Sequence, residues 1–295
     1  MLIAATADLH YGKSTASDSS VRELAEKLAS KRPDVLIIAG DVAIADPRAT
    51  VECLRLFADV ASHRFVIPGN HDIWSSDRSG AADSRDIFER LFSRSAMLGG
   101  FHRLDVEPRV VDGVGFAGSI GWYDYAFADP ELDVPRSVYE KKSLPGVGRW
   151  NDGRFVRWDY TDEEFLDITL ERLTQDIRRV ADKSTKLVIT THHLPFADLV
   201  VRRKFPAWMF QNAYMGSPRI GELIRSSARV PTLGISGHSH QFTTADLVAT
   251  DGTTPIRAVN VGTTYHRKRA LLFDSDREFE IVETVESGTE KRRDT

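Results

Sequence analysis

The sequence is poor in cysteine. Cys53 is the only cysteine among 295 residues, so an intrachain disulfide cannot form, and the chain fits a reducing compartment. The apolar spacing of residues 51–57 predicts an amphipathic helix, and we interpret Cys53 as a small buried side chain of that helix.

Long apolar runs and a basic leader are also missing. No apolar stretch approaches the ~20 residues that span a bilayer, and residues 1–7 lead to Asp8 without a basic segment. We therefore expect a cytoplasmic protein that begins with a strand and has no membrane partner. The net charge of −4 gives no general attraction to nucleic acids. The sequence leaves the oligomeric state open.

Short apolar runs rich in β-branched residues recur along the chain and predict buried strands. They occupy residues 2–7, 35–39, 65–67, 114–117, 187–191, 232–236 and 256–261. Helical periodicity appears between several of them. Thr161 and the acidic residues after it are typical of a capped helix N-terminus. This alternation predicts an α/β protein. The close spacing of runs at 256–261, 269–274 and 278–285 predicts antiparallel pairing near the C-terminus.

Residues 122–160 lack clear periodicity and hold three of the five tryptophans together with several basic residues. We interpret them as a lid-like insertion in a single domain of residues 1–286, followed by a flexible tail at 287–295. Trp122, Tyr123 and Asp124 follow a predicted strand, so they are candidates for substrate contacts. The alternative is that the aromatic side chains anchor the core and the basic ones form a solvated face.

Carboxylate, amide and imidazole side chains follow five of the predicted strands. They are Asp8 and His10, Asp41, Asn70, His192, and His238 and His240. Ligands of open α/β sheets bind beyond the carboxyl ends of the strands, so these side chains are expected to converge on one edge. Two i,i+2 pairs are among them, and in extended backbone such side chains point the same way. We therefore expect each pair to reach the site without distortion of the chain.

These ligand types define the kind of metal site. Mixed nitrogen and oxygen ligands without thiolate suit Mn, Fe, Zn, Co or Ni. Seven ligands are too many for one tetrahedral ion and suit two ions that share a bridging carboxylate. Two divalent ions and two aspartates leave a charge of +2, which suits a hydroxide and an anionic phosphate ester. Ions roughly 3.5–4 Å apart are a known device for displacement at phosphorus.

The ordered motifs Asp-x-His, Gly-Asp, Gly-Asn-His-Asp, His-His and Gly-His-x-His resemble those of the calcineurin-like metallophosphoesterase superfamily. Its class III cyclic-nucleotide phosphodiesterase-like and bacterial phosphohydrolase branches are the most similar. The resemblance implies a four-layer αββα sandwich of two mixed β-sheets flanked by helices, with a dimetal site at the C-terminal strand edges. The implied ligands of the first metal are Asp8, His10, Asp41 and His240. Those of the second are Asp41 as the bridge, Asn70, His192 and His238.

The resemblance also implies an activity. A metal-bridging hydroxide would attack a small-molecule phosphomonoester or phosphodiester, His71 would assist the leaving group, and Asp72 would orient His71. The metals would be two divalent ions, or iron with a divalent ion. Leu194 stands where the family often has proline, and Asp72 stands where protein phosphatases have glutamate. The second departure counts against a phosphoprotein phosphatase.

Two other functions stay open. A nuclease of the DNA-repair type is disfavoured by the acidic net charge and the limited length. A non-catalytic scaffold is disfavoured because no ligand is missing. His63, His102 and His266 lack motif context and are expected outside the site, whereas His193 is interpreted as a neighbour of the ligands more readily than as a ligand.

Overall fold

The apolar runs become the central strands of two β-sheets. The computed structural model describes residues 1–76, 83–274 and 279–284. The predicted strands lie within about two residues of the observed ones. The strands are β1 (Leu2–Thr6), β2 (Val35–Ala39), β3 (His63–Ile67), β4 (His102–Arg103), β5 (Arg109–Val111), β6 (Val114–Ser119), β7 (Ser143–Leu144), β8 (Gly148–Arg149), β9 (Lys186–Thr191), β10 (Thr232–Ser236), β11 (Thr243–Val248), β12 (Pro255–Asn260), β13 (Arg269–Asp274) and β14 (Glu280–Glu283).

The first sheet has the order β14-β13-β1-β2-β3-β4. Strands β1 to β4 run parallel, while β13 pairs antiparallel with both β1 and β14. The pairing of β13 with β14 confirms the antiparallel element predicted near the C-terminus. Residues 275–278 between them and the predicted tail at 287–295 lie outside the described residues.

The second sheet has the order β11-β12-β10-β9-β6-β5. Its four central strands are parallel, and the edge strands β5 and β11 are antiparallel to their neighbours. Strand β11 escaped sequence prediction because it is an edge strand whose side chains are alternately exposed, with two threonines in place of an apolar run. Strands β7 and β8 pair only with each other.

The described residues also form α-helices, which connect many of the strands. They are α1 (Thr15–Lys31), α2 (Pro47–Leu56), α3 (Ser84–Asp86), α4 (Phe92–Leu98), α5 (Arg136–Glu140), α6 (Asp152–Phe155), α7 (Asp162–Ala181), α8 (Pro206–Asn212) and α9 (Pro218–Ser227). Helix α7 begins with the predicted capping box, in which Thr161 and Glu164 exchange hydrogen bonds. Cys53 is buried on α2, as expected.

The layers follow from which faces are apolar. Side chains of α1, α2 and α4 pack on the outer face of the first sheet. Between the sheets lies a second core, to which Ile37, Phe65, Phe116, Val188 and Ile235 belong. Side chains of α7 and α9 pack on the outer face of the second sheet. This arrangement confirms the predicted αββα sandwich of two mixed sheets. Among the described residues, no helix combines the length and apolar character needed to cross a bilayer.

The segment at 122–160 is partly regular and largely packed. It contains α5, the β7–β8 pair and α6. Trp122, Tyr123, Tyr125 and Tyr139 are buried in the core beside the second sheet. Most of the aromatic side chains of this segment are therefore part of the core, which is the alternative to substrate contacts given above.

Candidate metal centre

The loops that follow the parallel strands of both sheets meet at one edge of the sandwich. Asp8 and Asp41 follow β1 and β2 in the first sheet, while His192 and His238 follow β9 and β10 in the second. The backbone N–H of His238 donates to both carboxylate oxygens of Asp8, at 2.9 and 3.0 Å. This contact joins the two sheets at the edge predicted from the sequence.

Most of the expected ligands occupy left-handed backbone conformations. The φ angles are 54° at Asp8, 45° at His10, 53° at Asp41, 71° at His238 and 55° at His240. The premise that the two i,i+2 pairs lie in extended backbone is therefore wrong. The chain bends sharply at each of these five residues. The left-handed conformation costs roughly 1–2 kcal/mol for a residue with a side chain. Such outliers are typical of functional sites.

A first group consists of Asp8, His10 and His240. Their potential ligand atoms all lie within 4.8 Å of one another. The Nε2 atoms of His10 and His240 are 3.4 Å apart. Asp8 and His10 are fully buried. The ligand atoms of the group therefore converge inside the protein.

A second group consists of Asp41, His192 and His238, again with ligand atoms within 4.8 Å of one another. Nδ1 of His238 lies 3.2 Å from Nε2 of His192. Oδ1 of Asn70 lies 3.1 Å from the same Nε2 atom. The amide oxygen therefore belongs with this group.

Asp41 lies between the groups. Its Oδ2 atom is 3.6 Å from Nε2 of His10, and its Oδ1 atom is 3.4 Å from Nε2 of His192. One carboxylate thus presents an oxygen to each group.

Backbone carbonyls fix which ring nitrogen His192 and His238 turn to the centre. His192 uses Nδ1 against the carbonyl of Ala39 at 2.9 Å, and His238 uses Nε2 against the carbonyl of Tyr214 at 3.1 Å. Because a carbonyl can only accept, each of these ring nitrogens donates its N–H. The opposite nitrogen of each neutral ring is left as a bare acceptor, as metal ligands require.

The centre is consequently lined by acceptors that face acceptors. With both rings neutral, the bare nitrogens of His192 and His238 face each other, and that of His192 also faces the oxygens of Asn70 and Asp41. Lone pairs at such distances repel unless a proton or a metal ion lies between them. The donor set thus fits metal ions, and its nitrogen and oxygen atoms suit the mixed-ligand metals expected from the sequence.

Charge coupling within the centre agrees with this fit. Burial disfavours the charged carboxylate of Asp41, but the neighbouring histidines, His192 foremost, hold its pKa well below the usual range. Burial also opposes the charged form of His192, yet Asp41 outweighs it and raises the pKa to about 9. Burial raises the pKa of Asp8 and lowers those of His10 and His238. A proton on His192 therefore occupies a position that a metal ion would take.

His71 lies beside this centre at a cavity, and its side chain is only 18% exposed. Its backbone N–H donates to Oδ1 of Asp41 at 2.9 Å, and its Nε2 atom is 3.9 Å from Oδ2 of Asp41. The ring stacks on Trp74 with centroids 3.8 Å apart. Among the described residues Nδ1 has no hydrogen-bond partner, and burial lowers the pKa of the ring.

Among the described residues, the hydrogen bonds of Asp72 go to backbone groups and not to the ring of His71 that it is expected to orient. Its carboxylate accepts backbone N–H groups of Val42 at 3.2 Å, Ala43 at 3.0 Å and Gly69 at 2.9 Å. Asp72 therefore ties the loop after β2 to the loop after β3, and it acts on the backbone that carries His71.

An open cavity of about 360 Å³ lies over the centre. Asp41, Asn70, His71, His238 and His240 form part of its wall. No sequence pattern pointed to most of the remaining wall, because these residues come from loops, from the short strand β8 and from α8. They are Trp74, Arg149, Trp150, Asn151, Trp208, Gln211, Asn212, Met215, Ser239, Gln241, Thr264 and Tyr265.

The three candidate substrate contacts lie behind this wall. Trp122 is fully buried and donates to Asp162 at 2.8 Å, and Tyr123 is fully buried and donates to Asp152 at 3.0 Å. Asp124 accepts a hydrogen bond from Ser217 at 2.7 Å. None of the three lines the cavity.

The other histidines have separate environments. His193 is buried, its Nδ1 atom lies 2.9 Å from the carbonyl of Ile120, and its ring packs 4.3 Å from that of His238. His63 and His266 are exposed, and His102 lies 3.1 Å from Glu107. None of these belongs to a ligand group among the described residues.

Comparisons with known proteins agree with this fold. Residues 1–242 match the family model of the calcineurin-like phosphoesterases. A sequence comparison with curated proteins gives no significant match.

Solved structures give a likeness of fold. Phosphopantetheinyl hydrolase from Mycobacterium tuberculosis has a TM-score of 0.65 and 17% identity, over 88% of this chain and 89% of that one. A dimetal phosphatase from Danio rerio has a TM-score of 0.54 and 15% identity, over 95% of each chain. The TT1561 protein of Thermus thermophilus has a TM-score of 0.51 and 11% identity, over 95% of this chain and 97% of that one.

The family match covers most of the chain and includes the strands and loops that form the candidate centre. It confirms the resemblance seen in the motifs. The chain belongs to the calcineurin-like phosphoesterase family.

Proposed function

We propose that the protein is a dimetal phosphoesterase that hydrolyses a small phosphomonoester or phosphodiester. The proposed ligands of the first ion are Asp8, His10, Asp41 and His240, and those of the second are Asp41, Asn70, His192 and His238. Two bound ions would supply an activated water nucleophile and neutralise the phosphoryl oxygens. The metal identity stays open among the metals that suit nitrogen and oxygen ligands.

The position of Asp41 carries the proposal. Its two oxygens face Nε2 of His10 at 3.6 Å and Nε2 of His192 at 3.4 Å. A buried carboxylate between two histidine-rich groups is what a shared ligand of two cations requires. Its charge also offsets part of the positive charge of the ions.

His71 is proposed to assist the leaving group. Its ring is at the cavity wall beside Asp41, and stacking on Trp74 holds its orientation. From there Nε2 can donate a hydrogen bond to the oxygen that leaves phosphorus. Asp72 contributes by holding the loop that carries His71. Trp122, Tyr123 and Asp124 contribute from behind the cavity wall, without direct contact with the substrate.

Metal stoichiometry and hydrolysis test the proposal together. Protein reconstituted with Mn²⁺ is expected to hold two ions per chain by elemental analysis and to hydrolyse p-nitrophenyl phosphate or bis-p-nitrophenyl phosphate. Asp41→Asn should lose at least about a hundredfold in kcat/KM, because loss of even an outer partner of a ligand costs 10- to 100-fold. Asp198→Asn changes an exposed carboxylate outside the cavity wall and is the matched control.

Fewer than one ion per chain after reconstitution would contradict the proposal and revive the scaffold alternative. Hydrolysis rates measured on a panel of further phosphate esters, including DNA, identify the substrate. Cleavage of DNA in preference to every small ester would favour the nuclease alternative.

A further inference from the structure

We propose that Asp152 is a positioning residue that orients the Asn70 amide toward the second metal ion. Asp152 begins α6 and is 1% exposed. It is outside the motifs of the family and does not line the cavity. The inference rests on the proposed function, since it concerns one of the two proposed ions.

The carboxylate of Asp152 accepts four side-chain hydrogen bonds. Oδ1 accepts from Nδ2 of Asn70 at 2.9 Å and from Nε1 of Trp74 at 2.6 Å. Oδ2 accepts from the hydroxyl of Tyr123 at 3.0 Å and from Nε1 of Trp150 at 2.7 Å. A carboxylate has about four lone-pair positions, so these donors satisfy it.

Asp152 decides which way the Asn70 amide faces. A side-chain amide carries a donor end and an acceptor end of almost equal shape. Oδ1 of Asp152 is an acceptor, since it also takes the N–H of Trp74, so the NH₂ group of Asn70 turns to it and Oδ1 of Asn70 turns to Nε2 of His192, 3.1 Å away. Rotated by 180°, the amide would offer the metal its NH₂ group, which cannot ligate it.

The same carboxylate reaches two aromatic side chains of the cavity. Trp74, held through its Nε1 atom, stacks on His71. Trp150, held through its own Nε1 atom, lines the cavity and stacks on Tyr214 at 5.1 Å. One buried group thus couples a proposed metal ligand to the ring proposed to assist the leaving group.

Asp152→Asn tests the role, because it keeps the volume but replaces one acceptor by a donor. One pair of partners then faces an N–H group, and in either orientation the neutral amide holds the NH₂ group of Asn70 less strongly than the carboxylate does. The expected result is a 10- to 100-fold weaker second Mn²⁺ affinity with the first affinity unchanged, as for other outer partners of ligands. Calorimetric titration of metal-free protein with Mn²⁺ measures both affinities without reference to activity. Excess Mn²⁺ should restore part of the lost turnover.

Asp162→Asn is the matched control. Asp162 is a second buried carboxylate that accepts from Trp122 at 2.8 Å and from Lys142 at 2.5 Å, as well as from Tyr125. None of these partners is a proposed metal ligand. Both Mn²⁺ affinities of this variant should equal those of the native protein, even where it lowers thermal stability.

The milder variant Tyr123→Phe serves if Asp152→Asn does not fold. It removes one donor to Oδ2 and is expected to weaken the second Mn²⁺ site by about two- to tenfold. If native protein binds two ions and Asp152→Asn binds both with the same affinities, Asp152 does not orient Asn70 and the proposal is overturned. Equal loss in Asp152→Asn and Asp162→Asn would overturn it as well. If native protein itself fails to bind two ions, the proposed function fails first.

Discussion

At the scale of single residues, the centre depends on backbone conformations that side chains disfavour. Five of the proposed ligands have φ between 45° and 71°, and each bend turns a side chain inward at the end of a strand. The folded sandwich must hold these bends, because isolated segments would relax to extended backbone. The unfavourable geometry is therefore maintained by the packed strands on either side.

His71 gives a prediction at this scale. His71→Ala is expected to lower kcat by about 10²- to 10⁴-fold, the usual contribution of a proton donor or acceptor. Both metal ions should still bind, because the ring is outside the proposed ligand set. Steady-state kinetics and elemental analysis of Mn²⁺-loaded protein measure the two effects.

His63→Ala is the control for this variant, since His63 is exposed at the start of β3, at the opposite end of the strand from the centre. Its kinetics should be native. Undiminished turnover by His71→Ala on every cleavable ester would remove His71 from the reaction.

At the scale of elements, the loops after the strands pack so closely that only glycine fits at some positions. A Cβ at Gly237 would lie 2.6 Å from Cβ of Ala7 and 2.9 Å from Oδ2 of Asp8. A Cβ at Gly69 would lie 2.2 Å from Oδ1 of Asp41. The space that a Cβ would need at Gly69 is filled by a proposed ligand, and at Gly237 by a proposed ligand and by the loop of the other sheet.

Gly237→Ala is therefore predicted to displace Asp8. The overpacking should cost about 1–3 kcal/mol of stability and weaken the first Mn²⁺ site. Gly234→Ala, within the preceding strand β10, is the control, because its Cβ would meet nothing closer than 3.8 Å. Thermal unfolding and Mn²⁺ titration of both variants test this, and native metal affinity in Gly237→Ala would contradict it.

At the scale of the whole molecule, the centre joins the two sheets at one edge. Asp8, His10 and Asp41 come from loops of the first sheet, and His192 and His238 from loops of the second. The backbone N–H of His238, bonded to Asp8, already links them. Bound ions would add bonds across the same junction, so metal binding should also stabilise the sandwich.

Removal of metal tests this at equilibrium. At a hundredfold excess over Kd, one bound ion adds about 2.7 kcal/mol and two add about twice that, so chelated protein should unfold roughly 4–9 °C below Mn²⁺-loaded protein. Asp41→Asn should show a much smaller difference between the two conditions. Equal unfolding temperatures of loaded and chelated native protein would show that the ions do not join the sheets.

The central strands and the edge at which the candidate ligands gather could be predicted from sequence patterns, and the four layers from the resemblance of the motifs to the family. Apolar runs such as residues 35–39 must be buried, so they became central strands, and the polar residues after them had to gather at one edge. Local patterns sufficed for these because burial and strand direction leave few alternatives. They were insufficient for β11, which is half exposed and has little apolar pattern.

How the centre is held and what surrounds it depend instead on the folded chain. The left-handed bends at Asp8 and His238 occur where a loop of one sheet is hydrogen-bonded to a loop of the other. The wall residues on α8 and at 149–151, and the carboxylate of Asp152 behind Asn70, are brought together from distant segments that share no periodicity. Spacing along the chain predicts which side chains share an edge, whereas hydrogen bonds across the folded chain determine which atom each one turns to the metal.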